Sequence, residues 1–161
     1  SRVVNVSSSA HKSGKMDFDN LLFDKGKDYG KMKSYGRSKL SNLLFTYELQ
    51  RRLEENKIES IALAAHPGFS QTNLMRYLED KWWFKLLMPL MMTMSQNQAM
   101  GALPQIRASV DSEVKGGEYY GPHKGMTGFP VIVESNEASN NKEDARKLWE
   151  TSEKLTGVKL M

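Results

Sequence analysis

Residues 60–68 read Ser60-Ile61-Ala62-Leu63-Ala64-Ala65-His66-Pro67-Gly68, a short apolar run that a Pro-Gly pair breaks sharply. An uninterrupted apolar run of this length, bounded by a turn signal, predicts a strand that is buried on both faces of a sheet. Strands of this kind belong to parallel sheets that carry helices on both sides. The run therefore predicts an α/β protein.

A matching strand and a helix precede this run. Residues 2–6 (Arg2-Val3-Val4-Asn5-Val6) are rich in β-branched side chains and lead into the serine run 7–9, which predicts a second buried strand and a turn. Residues 32–55 predict a helix, because Leu40, Leu43, Leu44 and Tyr47 recur at the spacing of one helical face. A strand, a helix and a strand with a crossover of this size predict a parallel βαβ unit.

The remaining segments predict further elements around this unit. Residues 10–31 predict a long polar loop, residues 95–109 a helix with Pro104 near a bend or an end, and residues 117–121 a last strand. Residues 141–156 predict a final helix with Asn140 as its N-cap and Gly157 as its stop. Residues 72–94 contain Trp82-Trp83-Phe84 and a Met-rich stretch, which predict a lid or pocket-lining helix; a core helix and a membrane-surface contact are the alternatives.

Composition bounds the kind of protein and its partners. The chain has 161 residues, of which 39% are apolar and 26% are charged, as in a soluble globular domain. It has no cysteine, and its three histidines lack metal-ligand spacing, so we predict neither a disulfide framework nor a metal site. The net charge of +4 is spread out, because acids dilute the lysines of residues 25–33, and we therefore predict no nucleic-acid partner.

The ends of the chain and its apolar segments bear on location. No targeting or transmembrane segment is visible, which favours a cytoplasmic location. The chain starts at Ser1 rather than Met and enters a strand at once, so we expect it to be part of a longer protein.

Three features could carry chemistry. Ser7, Ser8 and Ser9 follow a parallel strand, where ligand sites of open α/β sheets lie, although the residues alone leave the choice among them open. Tyr35 and Lys39 are four apart on a helix and share a face, and an ammonium beside a phenol favours the phenolate that a general base needs. The third feature is the break 66–68, with Thr72 four residues beyond it, where backbone can approach a flat ligand closely.

Taken together and in this order, the three features resemble the short-chain dehydrogenase/reductase family. Residues 2–8 resemble the family's fifth strand with its catalytic serine at Ser8, and Tyr35-Gly36-Arg37-Ser38-Lys39 matches its Tyr-x-x-Ser-Lys motif. Pro67-Gly68 followed by Thr72 matches the element after the sixth strand. The long loop before Tyr35 and the segments 41–45, 66–68, 148–150 and 155–157 are similar to the retinol-dehydrogenase-like and protochlorophyllide-reductase-like branch.

The resemblance implies a Rossmann-type doubly wound parallel sheet and an oxidoreductase of carbonyl or alcohol substrates that uses NAD or NADP, with NADP favoured. It implies that Tyr35 exchanges a proton with the substrate oxygen, which Ser8 also binds. It implies that Lys39 assists Tyr35 and binds the nicotinamide ribose, and that Pro67, Gly68 and Thr72 flank the nicotinamide. The apolar segment 82–94 favours an apolar substrate.

Several elements of the family have no counterpart in the chain. The glycine-rich turn after the first strand, the residue that selects the adenosine ribose and the Asn-Ala-Gly element are missing. We therefore expect residues 1–161 to form one partial domain, the catalytic C-terminal half with about three strands, and to have little activity alone. One alternative is a non-catalytic module that pairs, through exposed helices such as the Tyr35/Lys39 helix or through an open sheet edge, with another copy or with a missing half. The other is a serine hydrolase built on Ser8, His66 and an acid.

Overall fold

Four strands form one sheet in residues 1–70 and 95–160, the residues that a computed structural model of the protein describes. The strands are β1 (Arg2–Val6), β2 (Ile61–Ala65), β3 (Tyr119–Pro122) and β4 (Pro130–Ile132), and they lie side by side in this order. The first three are parallel, and β4 pairs antiparallel with β3. This confirms the predicted α/β class and adds one strand at an edge, where a three-residue segment that begins with proline gives little pattern.

Three helices flank the sheet in the described part of the chain: α1 (Lys31–Glu55), α2 (Gln98–Val110) and α3 (Lys142–Thr156). Pro104, expected near a bend or an end, instead lies inside α2 with its side chain fully buried. The N-cap of α3 is Asn141 rather than the predicted Asn140, because the Asn141 side chain accepts the amide hydrogens of both Glu143 and Asp144. The Asn140 side chain instead donates to Ser135 and to the carbonyl oxygen of Asn136.

Strand β2 lies at the centre of three layers. Leu63 and Ala65 pack with Ala108 of α2 on one face of the sheet. On the other face Ala64 packs with Leu43 of α1, and the neighbouring cluster joins β2 to Trp149 of α3. Each fully buried leucine contributes about 2 kcal/mol by removal of apolar surface from water. The burial of both faces is what the uninterrupted apolar run predicted.

The long segment between β1 and α1 is more ordered than the predicted loop. It contains three short 3-10 helices, Ser9–Ser13, Phe18–Asn20 and Asp24–Gly26. The guanidinium of Arg37, which is 3% exposed, donates to the carbonyl oxygens of three residues in this segment: Lys15, Asn20 and Leu21. No periodic signal predicts these turns, because they are too short for one and depend on a side chain from α1.

None of the helices in residues 1–70 and 95–160 has the length and apolarity needed to cross a bilayer.

Candidate active site

The serine run and the His66-Pro67-Gly68 break meet at one edge of the sheet. Val6 at the end of β1 pairs with Ala65 at the end of β2, and the Ser7 amide donates to the Ala65 carbonyl oxygen at 2.8 Å. Because the two strands are parallel and in register, the residues that follow them emerge side by side. This is the carboxyl edge at which ligands bind in open α/β sheets.

Burial separates the three serines. Ser7 is 1% exposed, and its hydroxyl donates to the Lys39 carbonyl oxygen at 2.8 Å, so it fixes β1 against α1. Ser9 is exposed. Ser8 is half-buried and caps the first 3-10 helix, and its Oγ accepts the Ala10 amide hydrogen at 3.2 Å. Of the three serines, Ser8 is the one that is neither buried nor fully exposed.

Tyr35 and Lys39 share a face of α1 as predicted. Both are half-buried, and Lys39 Nζ lies 5.7 Å from the centroid of the Tyr35 ring. The same ammonium donates to the Val6 carbonyl oxygen at 3.2 Å, and the Asn42 amide donates to that oxygen at 2.9 Å. Lys39 and Asn42 therefore tie the start of α1 to the end of β1, two residues before Ser8.

Two glycines allow the segment after Ser8 to pack closely on α1. A Cβ on Gly14 would lie 2.5 Å from the Gly36 carbonyl oxygen, and one on Gly36 would lie 3.0 Å from the Ser13 hydroxyl. A side chain at Gly14 would require the 3-10 helix or α1 to shift, whereas a methyl group at Gly36 would require its neighbours to move by a few tenths of an ångström. The contact packs the end of the helix that Ser8 caps against α1 at Gly36, the residue after Tyr35.

The turn after β2 is held in an unusual backbone conformation. Gly68 has φ +66°, and a Cβ there would collide with the Met126 carbonyl oxygen. The side chain of Gln96 donates to the Pro67 carbonyl oxygen at 2.8 Å and accepts the Gly128 amide hydrogen at 2.9 Å. Gln96 therefore joins the turn to the loop after β3. No motif or spacing in the sequence predicted this role. Thr72 and the Trp82-Trp83-Phe84 cluster lie outside the described residues.

Two buried histidines support this edge in their neutral form. Burial lowers the pKa of His66 to about 4; the positive charge of Lys12, and that of His11 whenever its ring is protonated, act in the same direction. Burial also lowers the pKa of His11. The Tyr119 ring contacts both imidazoles, with centroids 5.7 Å from His11 and 5.3 Å from His66, and burial raises the pKa of its hydroxyl.

The geometry does not favour a serine hydrolase. His66 Nδ1 accepts the Gly68 amide hydrogen at 3.2 Å, while Ser8 Oγ accepts the Ala10 amide hydrogen. Within residues 1–70 and 95–160 no hydrogen bond joins Ser8 to His66. In the same part of the chain no group of three or more His, Cys, Asp or Glu side chains is placed to hold a metal ion. The functional groups that we assign to this site are instead the Ser8 hydroxyl, the Tyr35 phenol and the Lys39 ammonium.

Comparison with known proteins finds similar chains over almost the whole length. No protein-family model matches. Human retinol dehydrogenase 14 is 36% identical over 161 residues, which cover 98% of this chain and 45% of that protein. Mouse retinol dehydrogenase 12 is 37% identical over 98% of this chain and 46% of that protein. The chicken WW domain-containing oxidoreductase is 34% identical over 96% of this chain and 36% of that protein.

A solved structure agrees with the fold. The crystal structure of an uncharacterised protein from Mycobacterium paratuberculosis superimposes with a TM-score of 0.78 at 33% sequence identity. The match covers 99% of this chain and 52% of the other. The chain therefore spans about half the length of the proteins that it resembles.

Proposed function

We propose that this chain, which belongs to the short-chain dehydrogenase/reductase family and to its retinol-dehydrogenase-like branch, supplies the catalytic half of a nicotinamide-dependent oxidoreductase. The observation that carries the proposal is the arrangement at the carboxyl edge of β1 and β2. There the half-buried Ser8 hydroxyl, the Tyr35 phenol and the Lys39 ammonium lie on elements that close contacts hold together.

Tyr35 is the acid and base in this proposal. Its hydroxyl gives a proton to the substrate oxygen when a carbonyl is reduced and takes one when an alcohol is oxidised. Ser8 donates a hydrogen bond to the same oxygen and so orients the substrate. The Lys39 ammonium, 5.7 Å from the centre of the Tyr35 ring, stabilises the negative charge that remains on the phenolic oxygen.

The residues present fit the nicotinamide end of a cofactor. Lys39 uses one of its N–H groups on the Val6 carbonyl oxygen, which leaves the half-buried ammonium further donors for ribose hydroxyls. Pro67 and Gly68 would lie along the nicotinamide. A bound nicotinamide supplies or accepts the hydride. NAD and NADP both meet this requirement, and the resemblance favours NADP.

The substrate that we propose is an apolar alcohol or aldehyde. Several relatives are named retinol dehydrogenases, and residues 82–94 are rich in tryptophan, methionine and leucine. The family's glycine-rich turn is missing from the chain, so we expect the 161 residues alone to turn over cofactor weakly or not at all.

The proposal is tested by Tyr35→Phe in the complete natural polypeptide that carries these residues. We expect its dehydrogenase activity to fall about 100- to 10,000-fold, because the proton donor is removed. Tyr29→Phe makes the same change at a tyrosine that is 58% exposed, and it should leave the rate unchanged. An active Tyr35→Phe enzyme would contradict the proposal.

Binding by the 161-residue chain is a separate question. The chain is titrated with NADH and with NADPH by cofactor fluorescence, beside the double variant Tyr35→Phe/Lys39→Ala. Saturable binding that the double variant loses would mean that the nicotinamide half-site is formed by these residues. An absence of binding would mean that the other half of the dinucleotide site is required.

An exposed sheet edge favours a second candidate function, self-association without catalysis. Strand β1 pairs on one side only in the described part of the sheet, and Val3 and Val6 are 41% and 42% exposed. Such an edge can pair with a second copy of the chain. Sedimentation of the chain beside Val3→Lys tests this: a dimer that the variant abolishes would favour it, and a monomeric wild type would contradict it.

A further inference from the structure

His11 lies fully buried behind the serine run, at 1% exposure. Its backbone N–H donates to the Ser8 carbonyl oxygen at 3.0 Å, and its ring Nδ1 lies 2.6 Å from the same oxygen. A carbonyl oxygen can only accept a hydrogen bond, so Nδ1 must carry the ring hydrogen. The Ser8 carbonyl is thus held by two donors from one residue.

The other ring nitrogen requires the same tautomer. The backbone N–H of Asn136 donates to His11 Nε2 at 3.4 Å, so Nε2 must hold a lone pair. Burial lowers the pKa of His11 despite the opposing hydrogen bond to Ser8, with a smaller contribution from the charge of Lys12, and so favours the neutral ring. The Tyr119 ring meets the imidazole edge-on at 81°, which fixes its tilt. Every described contact of the ring is therefore consistent with one orientation.

We propose that His11 is a positioning residue for Ser8, and that it anchors the serine to the backbone at Asn136. The proposal rests on the proposed function, in which Ser8 orients the substrate oxygen. The ring donor fixes the peptide plane after Ser8 and hence the direction of its Cα–Cβ bond. The Ser8 hydroxyl itself is held only weakly, by the Ala10 amide at 3.2 Å, so its aim depends on that backbone.

Two substitutions separate the halves of the ring. In His11→Asn the side-chain NH₂ takes the place of Nδ1–H and keeps the donor to Ser8. In His11→Gln the side-chain oxygen takes the place of Nε2 and keeps only the acceptor for Asn136. His123→Asn is the matched control, because His123 is exposed. All are assayed in the complete natural polypeptide, with Tyr35→Phe beside them.

We expect His11→Gln to lower kcat about 10- to 100-fold with little change in the cofactor KM, because a misdirected Ser8 impairs orientation rather than cofactor binding. We expect kcat of His11→Asn to stay much closer to that of the wild type. Equal losses in the two variants, or no loss in either, would overturn the proposal. An active Tyr35→Phe would overturn the proposed function itself, which is a distinguishable result.

A measurement on the wild type covers the case in which the variants fail to fold. The ¹⁵N shifts of the His11 ring report its tautomer directly. A neutral ring with hydrogen on Nδ1 supports the proposal, whereas hydrogen on Nε2 or a protonated ring at neutral pH overturns it.

Discussion

Acid should destabilise the fold through His66. The folded state holds this ring neutral, with a pKa of about 4 compared with 6.5 for a histidine in an unfolded chain. Its stabilising contribution is therefore complete above pH 6.5 and is lost as the pH falls toward 4. At about 1.4 kcal/mol per pH unit, the difference between the two pKa values amounts to about 3 kcal/mol.

Comparison with a variant isolates this contribution from the carboxylates that titrate in the same range. His66→Asn cannot be protonated, and its side-chain oxygen can still accept the Gly68 amide hydrogen that Nδ1 accepts at 3.2 Å. The free energy of unfolding of wild type and variant is measured by urea denaturation between pH 7 and pH 4. We expect the free energy of unfolding of the wild type, relative to that of His66→Asn, to fall by about 3 kcal/mol as the pH is lowered from 7 to 4.

The control for this experiment is His123→Asn, an exposed histidine whose replacement should leave the pH dependence of the wild type intact. The carboxylates, His11 and Lys12 remain in the variant, so the difference between the two proteins reports the titration of His66 together with its coupling to His11 and Lys12. A difference between wild type and His66→Asn that stays constant from pH 7 to pH 4 would refute the argument.

Two further substitutions, one in a turn and one at a helix cap, should each lower the free energy of unfolding. Gly68→Ala should lower the free energy of unfolding, measured by urea denaturation, by about 2 kcal/mol or more, because φ is +66° and the methyl group would meet the Met126 carbonyl oxygen. Gly125→Ala should lower it less, because Gly125 has φ +76° but lies in open space. Asn141→Ala should cost about 1 kcal/mol, because it removes the N-cap of α3. A greater loss from Asn140→Ala than from Asn141→Ala would contradict the cap assignment.

The sheet and its main helix were predictable because their signals are local. The apolar run 61–65 has no polar residue on either face, and the structure buries both faces between helices. The spacing of Leu40, Leu43 and Leu44 gave α1 in the same way, and all three are fully buried. Tyr35 and Lys39 share a helical face whatever the rest of the chain does.

The residues that support the site were not predictable, since their partners are distant in sequence. Arg37 binds carbonyl oxygens 16 to 22 positions away, Gln96 binds Pro67 29 positions away, and His11 accepts from Asn136 125 positions away. No periodicity encodes such pairs. Arg37, Gln96 and His11 are polar side chains of types that are mostly exposed or only partly buried, and the sequence alone does not show that these three are buried.

The placement of Ser8 illustrates how far local reasoning extends. The sequence offers three adjacent serines with identical chemistry; the family resemblance points to Ser8, and the burial of each serine in the fold distinguishes the three independently. The Ser7 hydroxyl donates a hydrogen bond to the Lys39 carbonyl oxygen, and Ser9 is exposed. The packing of the segment after Ser8 on the helix that carries Tyr35 includes the close contact of Gly14 with Gly36. These two glycines are far apart in sequence and carry no reactive group. A methyl group added at Gly14 would meet the backbone of Gly36, so the close packing of these two segments requires a residue without a side chain at position 14.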